Sequence, residues 1–200
     1  AGGRPVSRSA AALAAEQTVQ AWLAASGLDH DLGSRQGEYL VALPGETKLK
    51  TTASLLVGDQ SLSVSAFVVR RPDENHQAFY RWLLARNLRL PGVAFALDSL
   101  GDVFLVGKLP LAAVSDDAID HLLGAVLAAA DSSFNDLLVL GFLDSMRREW
   151  RWRIERGEST ANLAAFKHLL VDSDEPADPA DPADATDDTG GTLREGPPAD

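Results

Sequence analysis

The chain has 200 residues, of which 18 are basic and 29 are acidic, giving a formal net charge of −11, and it contains no cysteine. The lack of cysteine excludes a disulfide framework, a thiol nucleophile and a Cys-ligated zinc site. Ten acids but only one base fall within residues 171–200, so residues 1–170 keep 17 basic and 19 acidic groups. A nearly neutral domain argues against a nucleic-acid binder that relies on a broad basic surface.

The two ends of the chain differ from its middle. Residues 171–200 repeat Ala-Asp-Pro and combine like charges with few apolar side chains, a composition typical of disorder. We therefore divide the chain into a flexible N-terminus at 1–9, one folded domain at 10–170 and a disordered acidic tail at 171–200. No apolar run approaches the ~20 residues that span a bilayer. We predict a cytoplasmic protein with no membrane contact.

The first predicted helix covers Ala10 to Ser26. Ala, Leu, Glu and Gln dominate this stretch, and its larger apolar residues recur at near-helical spacing. Gly27 follows where a C-terminal cap is expected.

Three predicted strands come next, at 38–43, 48–57 and 61–69. Turn sequences separate them, Pro-Gly at 44–45 and Gly-Asp-Gln at 58–60. The third strand alternates serines with apolar residues, which indicates one polar and one buried face. Short turns between consecutive strands predict an antiparallel meander.

A second helix is predicted to open at Arg70–Glu74 and to run to about Leu90. The proline in its first turn would lack a hydrogen-bond partner in any case. Two further strands, at 93–97 and 102–107, form a hairpin. The second of them shows no polar alternation, which predicts that both of its faces are covered.

The third helix is predicted from a Ser115 cap to about Arg156, with a bend near Ser132-Ser133. Its wide apolar stripe keeps helical spacing throughout, and we interpret the length of the stripe as a dimer interface. A short helix from Ser159 to Leu170 ends the domain. The order α–βββ–α–ββ–α–α, with hairpins rather than βαβ units, predicts an α+β fold with an antiparallel sheet.

Several segments resemble those of a known family. They are Arg70-Arg71-Pro72-Asp73-Glu74-Asn75-His76 followed by Tyr80-Arg81, Gly45 to Thr52, Phe134-Asn135 with Leu140-Gly141-Phe142, and Glu149-Trp150 with Arg156 to Ser159. Over 10–170 the chain is similar to actinobacterial members of the YbjN-domain family, labelled as sensory transduction regulators. The resemblance implies a type III secretion chaperone-like fold, α-β-β-β-α-β-β-α, and a homodimer. The related secretion chaperones bind unfolded stretches of client proteins, and the resemblance brings no defined catalytic residues.

No catalytic constellation is evident in the sequence. The four histidines, His30, His76, His121 and His168, lie far apart in sequence, so their spacing does not match a metal site. The paired carboxylates at 73–74 and 116–117 fall at predicted helix starts, where they complement the helix dipole. We predict no enzyme, no cofactor and no metal.

The densest polar cluster is the one candidate site. It comprises Arg70, Arg71, Asp73, Glu74, Asn75, His76 and Arg81. One interpretation is a site for an anion or a peptide carboxylate at a helix N-terminus. The other is a structural network, with Arg70 paired to Asp73, that fixes the third strand to the second helix.

Two basic stretches leave alternatives open. Lys48, Lys50, Arg70 and Arg71 could form a basic strip on adjacent strands. Residues 147–153 interleave arginines with tryptophans, a pattern that can contact nucleic acid by charge and stacking. The alternative is an amphipathic helix end with Trp150 and Ile154 buried. The acidic tail could also fold over these arginines, and we consider nucleic-acid binding the less favoured interpretation.

The functional hypothesis is a non-enzymatic homodimer, chaperone-like or adaptor-like, that binds a segment of an unidentified partner protein on its helix and sheet surface, for example by strand addition. Candidate contacts are Leu13, Trp22, Leu62 and Val64. The alternative is a regulator that senses a small ligand in a pocket between the sheet and the second helix, lined by Trp82, Phe95 and Phe104.

Overall fold

A computed structural model describes residues 8–170; residues 1–7 and the predicted tail at 171–200 lie outside the described residues. The elements, in chain order, are α1 (Ala10–Ser26), β1 (His30–Leu32), β2 (Glu38–Pro44), β3 (Lys50–Val57), β4 (Ser61–Val69), α2 (His76–Asn87), β5 (Val93–Leu97), β6 (Val103–Pro110), α3 (Asp116–Arg156) and α4 (Lys167–Leu170), with short 3-10 helices at Leu111–Ala113 and Ala161–Phe166. The predicted α+β fold with an antiparallel sheet and a long C-terminal helix is confirmed.

Helix α1 begins at Ala10 and ends at Ser26, as predicted, and a capping residue lies at each end. The Ser9 hydroxyl accepts the N–H of Ala12, and Gly27 takes the left-handed conformation at φ 69°, which glycine adopts without steric cost. Arg8 pairs with Glu16 on α1 and donates a hydrogen bond to the carbonyl of Val57 at the end of β3. The described residues before α1 are therefore attached to both layers of the domain.

The sheet has six antiparallel strands in the order β1-β2-β3-β4-β6-β5. One face carries the large apolar side chains, and α1, α2 and α3 cover it. Central residues of that face, such as Leu55, Leu62 and Leu105, are fully buried. No described element covers the other face. The domain therefore has two layers and a single core, a common solution for an antiparallel sheet.

The long helix α3 runs without interruption from Asp116 to Arg156, 41 residues or about 60 Å at 1.5 Å per residue. The Ser115 side chain caps its start, and Gly157 in the left-handed conformation ends it. By length and composition α3 is apolar enough to cross a membrane, with a mean hydropathy of 1.4 over 18 residues, although we expected no such run. Its apolar stripe packs against the sheet, α1 and α2, and therefore does not form the dimer interface that its length suggested in the sequence.

Three sequence predictions need correction, and one strand was not predicted. The short strand β1, exposed throughout, was missed because it has no buried face to give a pattern. Helix α2 begins at His76 rather than at Arg70–Glu74. Strand β6 is half-exposed on one face, since no second layer covers it. The last predicted helix starts as the 3-10 helix Ala161–Phe166 and becomes α-helical only at Lys167–Leu170.

Candidate functional site

The predicted polar cluster forms a clamp, which we define as residues 70–75, between the end of β4 and the middle of α3. Arg70 binds Asp73 through two guanidinium nitrogens, and the Ser145 hydroxyl donates to the same carboxylate at 2.7 Å. The N–H groups of Asp73 and Glu74 both donate to the carbonyl of Gly141, at 2.9 and 3.3 Å. Arg70 and Asp73 are paired, but these contacts connect residues 70–75 to α3, whereas the structural interpretation expected them to fix the third strand to the second helix.

Two other side chains of the clamp form hydrogen bonds with backbone groups of α3. The Asn75 amide donates to the carbonyl of Leu140, and Glu74 Oε1 accepts the N–H of Asp144 at 2.8 Å. Asn75 itself has a φ of 51°, a left-handed conformation that asparagine tolerates better than most residues. Side chains that reach into a helix ladder are a recognised cause of bending. These contacts lie at 140–144 of α3; the bend expected near Ser132-Ser133, where the Ser132 hydroxyl donates to the carbonyl of Ala128, stays a prediction.

Three residues of the predicted cluster make none of these contacts with α3. Arg71 is exposed; its N–H donates to Asp102 and its side chain lies over Gly101. His76 is exposed and stacks on Tyr80, with ring centroids 6.2 Å apart. The exposed Arg81 lies on the outer side of α2. These three side chains do not converge on one point, so the structure does not assemble the seven residues into one pocket.

The clamp changes the ionisation of its acids. Hydrogen bonds from Arg70 and then from Ser145 lower the pKa of Asp73 from 3.8 to about 2, because they favour the charged carboxylate. The same ion pair raises the pKa of Arg70. For Glu74, burial raises the pKa, against the opposing effect of the Asp144 N–H.

The lowered pKa of Asp73 predicts a pH-dependent contribution to stability. Because the folded-state value lies below the unfolded one, the contribution is complete above about pH 4 and disappears as the pH falls towards 2. Asp73→Asn should therefore melt below the wild type at pH 7, and the two melting temperatures should converge by about pH 2. Thermal unfolding at pH 7, 4 and about 2 measures this. Asp29→Asn, an exposed acid, is the control; a constant difference for Asp73→Asn would contradict the prediction.

A groove opens beside the clamp because the sheet splits there. Strand β3 pairs with β2 along its length but with β4 only from Ala53 onward. Strand β4 continues to Val69 beside β6, with an irregularity between Phe67 and Val69. Residues 50–52 and 67–69 are therefore adjacent in strand order but unpaired with each other. The split leaves a cavity of about 640 Å³ between the end of β4, α3 and the 3-10 helix Ala161–Phe166.

Lys48 enters this groove from the loop between β2 and β3. Asp131 on α3 holds that loop by accepting the N–H groups of Thr47 and Lys48, both at 2.8 Å. The Lys48 ammonium donates to the carbonyl of Phe67 and lies 5.4 Å and 5.9 Å from the ring centroids of Phe67 and Phe134. Burial lowers its pKa. The sequence suggested a basic strip of Lys48, Lys50, Arg70 and Arg71, but the Lys48 ammonium lies in this groove.

The open face of the sheet, the one without helices, is poor in charge. Its centre carries half-buried apolar residues between serines, among them Ser54, Ser63 and Ser65, as the alternation of β4 predicts. The apolar residues are Leu40, Ala42, Leu56, Ala94, Ala96, Phe104 and Val106. On β2 to β6, charged side chains occur on this face only towards strand ends, at Glu38, Lys50 and Lys108.

Most of the predicted partner contacts are core residues. Trp22, Leu62 and Val64 are buried, and the Trp22 indole N–H donates to Asp120 on α3. Only Leu13, 49% exposed, is available at the surface. Apolar periodicity in the sequence indicates only that the other three side chains are buried. In the structure they are buried between the sheet and the helices of the same domain and are not available to a partner.

The predicted ligand pocket does not form. Trp82 packs beside Phe95 with ring centroids 6.1 Å apart. Phe104, however, pairs across the sheet with Ala96 and packs edge-on against Phe67, on the open face. Phe95 and Phe104 therefore lie on opposite faces of the sheet and cannot line one cavity.

The outer edge of β5 is blocked by a side chain. Asn87, at the end of α2, accepts the N–H of Phe95 at 2.7 Å and donates to its carbonyl at 3.2 Å. An added strand would need these two backbone groups. At the other edge β1 is only three residues long, another usual protection against strand pairing.

The basic end of α3 is largely an amphipathic helix end. Trp150 is buried, as one interpretation predicted, but Ile154 is 57% exposed, contrary to that interpretation. Arg147 donates to a carbonyl in α4 and Arg153 pairs with the acid one turn before it. Arg148 donates to the Ser145 hydroxyl at 2.9 Å, so three of the arginines in residues 147–153 are engaged within the domain. The tail proposed to cover them lies outside the described residues.

A second group of titratable side chains lies at α1, where Glu16 pairs with Arg8 and accepts a hydrogen bond from the Tyr39 hydroxyl. Within residues 8–170, no group of three His, Asp or Glu side chains could hold a metal ion. His30 and His121 each contact a nearby backbone carbonyl. Among the described residues the clamp is the densest set of acids and bases, and its acids are bound by Arg70, Ser145 and backbone N–H groups.

Comparisons with known proteins give a family. The family model "YbjN: Putative bacterial sensory transduction regulator" matches residues 16–138. An uncharacterized protein of Mycobacterium leprae is 49% identical over 164 residues, covering 76% of this chain and 89% of the relative. A Mycobacterium tuberculosis protein, also called uncharacterized, is 50% identical over 158 residues, covering 77% and 86%.

Solved structures with similar folds include a chaperone–effector complex, HopA1–SchA. It has a TM-score of 0.49 and 12% identity, covering 66% of this chain and 99% of that chain. The ExoU–SpcU complex from the type III secretion system of Pseudomonas aeruginosa has a TM-score of 0.46 and 18% identity, covering 62% and 98%.

Proposed function

The chain belongs to the YbjN family, and we propose that it is a non-enzymatic, homodimeric protein-binding module of the cytoplasm. The observation that carries the proposal is the open face of the sheet, which is apolar, charge-poor and uncovered by any described element. The occupant that we propose for this face is a second copy of the chain. The unidentified protein partner would then bind to the dimer.

The composition of the open face supports an interface. Interface centres are depleted in charge and enriched in aromatic residues, and here Phe104 and Val106 lie beside uncharged serines. A twofold dimer places the same patch on both subunits. A centre without charge can meet its own copy without like-charge repulsion.

The size of the face is also sufficient. Five strand spacings of about 4.8 Å and strands of roughly seven residues give a face of about 24 Å by 23 Å. That flat area, roughly 550 Å², is of the order of the ~800 Å² that each partner buries in a standard interface. Small side chains, Ser63 and Ala96 among them, allow a second sheet to approach closely.

The blocked edges favour face-to-face contact over strand addition. Asn87 occupies the backbone groups of Phe95 at the β5 edge, and β1 offers only three residues at the other edge. A partner that adds a strand there would have to displace the Asn87 amide. The open face requires no such displacement.

We propose a non-enzymatic role because the two carboxylates of the clamp, Asp73 and Glu74, are already hydrogen-bonded within the domain. A general acid or base must be free to exchange a proton with a substrate. Asp73 is held by Arg70 and Ser145, and Glu74 accepts a backbone N–H of α3. Both carboxylates therefore have structural partners where a catalytic group would need a substrate.

Substituting Ser65→Lys tests the dimer. Ser65 lies at the centre of the sheet, opposite Ser54 on β3 and Val106 on β6, so two lysines would meet across the proposed interface. We expect the wild type to sediment as a dimer of the 21.3 kDa chain. In the variant the dimer dissociation constant should rise at least about tenfold, since unpaired charges at an interface cost more than about 1.4 kcal/mol.

Sedimentation equilibrium between 1 and 100 µM measures this, and circular dichroism verifies folding. Ala24→Lys, at an exposed position on α1, is the matched control and should remain dimeric. A wild type that is monomeric at 100 µM, or a Ser65→Lys variant with an unchanged dissociation constant, would rule out this interface. Co-purification with the wild type, compared with Ser65→Lys, then tests whether the dimer is the form that holds a partner.

A further inference from the structure

The groove between β4 and α3 has the size and lining of a small-molecule site. Its volume of about 640 Å³ falls within the range of roughly 300–1,000 Å³ for ligand pockets. Aromatic and aliphatic side chains form most of its wall, including Phe67, Phe134, Phe142 and Met146. Few polar side chains reach it, which is also typical of ligand pockets.

Lys48 is the uncommitted charge in this groove. Of the other charged residues lining it, Arg70 is bound by Asp73 and lies 4.5 Å over the Phe142 ring, and Glu149 is paired with an arginine of its own helix. Within residues 8–170 no carboxylate lies at ion-pair distance from the Lys48 ammonium. The carboxylate of Asp131 accepts hydrogen bonds from the backbone N–H groups of Thr47 and Lys48.

The surroundings of Lys48 leave part of its hydrogen-bonding capacity unused. An ammonium group has three donors, and the described contact uses one of them, to the carbonyl of Phe67. The rings of Phe67 and Phe134 stabilise the charge without accepting a conventional hydrogen bond. An anion in the groove would therefore find two free donors beside an apolar wall.

We propose that the groove binds a small apolar carboxylate, whose alkyl or aryl body fills the cavity and whose carboxylate pairs with Lys48. We choose an anionic ligand for charge complementarity. A neutral ligand would leave the Lys48 ammonium without an anion, and a cationic ligand would be repelled by the ammonium. The inference goes beyond the proposed dimer. The groove shares Phe67 with the open face of the sheet, but Lys48 and the α3 wall do not belong to that face.

Decanoate, decan-1-ol and decyltrimethylammonium test the proposal with the full-length chain, the two ionic compounds below their micellar concentrations and the alcohol below its solubility limit. Isothermal titration should show decanoate binding at least about tenfold more tightly than decanol, because a hydrogen bond to a charged group adds that much. Lys48→Met should remove this preference while leaving decanol binding unchanged. Lys50→Met, two residues away and exposed, is the matched control and should keep the preference.

A second variant locates the ligand. Leu138 is a half-buried wall residue of the groove, so Leu138→Trp should fill the cavity and weaken decanoate and decanol binding together. Unchanged binding in Leu138→Trp, or unchanged decanoate affinity in Lys48→Met, would overturn the proposal.

The wild type alone also decides the charge preference if Lys48→Met does not fold. Equal affinities for decanoate and decyltrimethylammonium would overturn the role of Lys48. The Ser65→Lys variant separates the two proposals: it should bind decanoate as the wild type does, whatever its oligomeric state. Loss of the dimer without loss of decanoate binding would leave the groove proposal standing.

Discussion

Replacing Gly141 with valine should lower the free energy of unfolding by about 3 kcal/mol or more, the upper end of overpacking costs. A Cβ at this position would lie 2.8 Å from the Cβ of Pro72 and 2.9 Å from the ring of Phe79, closer than carbon atoms pack. Neither neighbour can retreat easily, since Phe79 is fully buried and Pro72 belongs to the clamp.

The substitution would also loosen the clamp. The Gly141 carbonyl accepts the N–H groups of Asp73 and Glu74, so pushing α3 away from residues 70–75 stretches both hydrogen bonds. Urea denaturation gives the change in unfolding free energy. Valine on the same helix at Gly124 is the matched control, because a Cβ there meets nothing within 4 Å.

Gly124→Val should change stability by less than about 0.5 kcal/mol, and towards greater stability, since valine is a better helix former than glycine. The comparison keeps residue type and helix constant and changes only the surroundings. Equal destabilisation at both positions would mean that β-branching in the helix, and not contact with the clamp, decides the result.

Local signals explain why several elements were predicted correctly. Helix α1 and helix α3 each have a serine cap, an apolar stripe and a terminal glycine, all of which are read from a few neighbouring residues. The strands β4 and β5 match their predicted ranges because alternation and flanking turns mark them.

The start of α2 shows where local signals fail. Pro72 with Asp73 and Glu74 looks like the first turn of a helix. In the structure Asp73 pairs with Arg70, and Glu74 accepts a backbone N–H of α3 about 70 residues away in sequence. Helix α2 therefore starts only at His76. A long-range contact has replaced a local one, and a single sequence does not display it.

The groove could not be predicted for the same reason. Lys48 and Phe134 come together because β3 and β4 separate beyond Ala53 and because Asp131 holds the β2–β3 loop. Neither the register of two strands nor the position of a strand irregularity is encoded in a short pattern. The serine face of β4, by contrast, follows from its alternation alone, and only the lack of a covering layer had to be learned from the structure.

Truncating Phe79 to alanine should cost about 3–5 kcal/mol of unfolding free energy, the range for a buried aromatic residue. The ring is fully buried and packs against Gly141 on α3 and edge-on against Tyr80, so its loss leaves a cavity between α2 and α3. Leu84→Ala, on the exposed side of the same helix at 69% exposure, is the control and should stay within about 0.5 kcal/mol of the wild type. A comparably small change for Phe79→Ala would mean that the contact between α2 and α3 contributes little.

Combining Phe79→Ala with Gly141→Ala distinguishes the two contacts that a side chain at 141 would make, one with the Phe79 ring and one with Pro72 of the clamp. In the wild type the added methyl group meets both the Phe79 ring and Pro72, whereas in the Phe79→Ala background it meets only Pro72 and can occupy part of the cavity. Gly141→Ala should therefore cost less, or even stabilise, in that background, giving a coupling energy of about 1 kcal/mol or more. Additive effects would place the strain at Pro72 alone, and the clamp rather than the α2 core would then be the reason that glycine is required at 141.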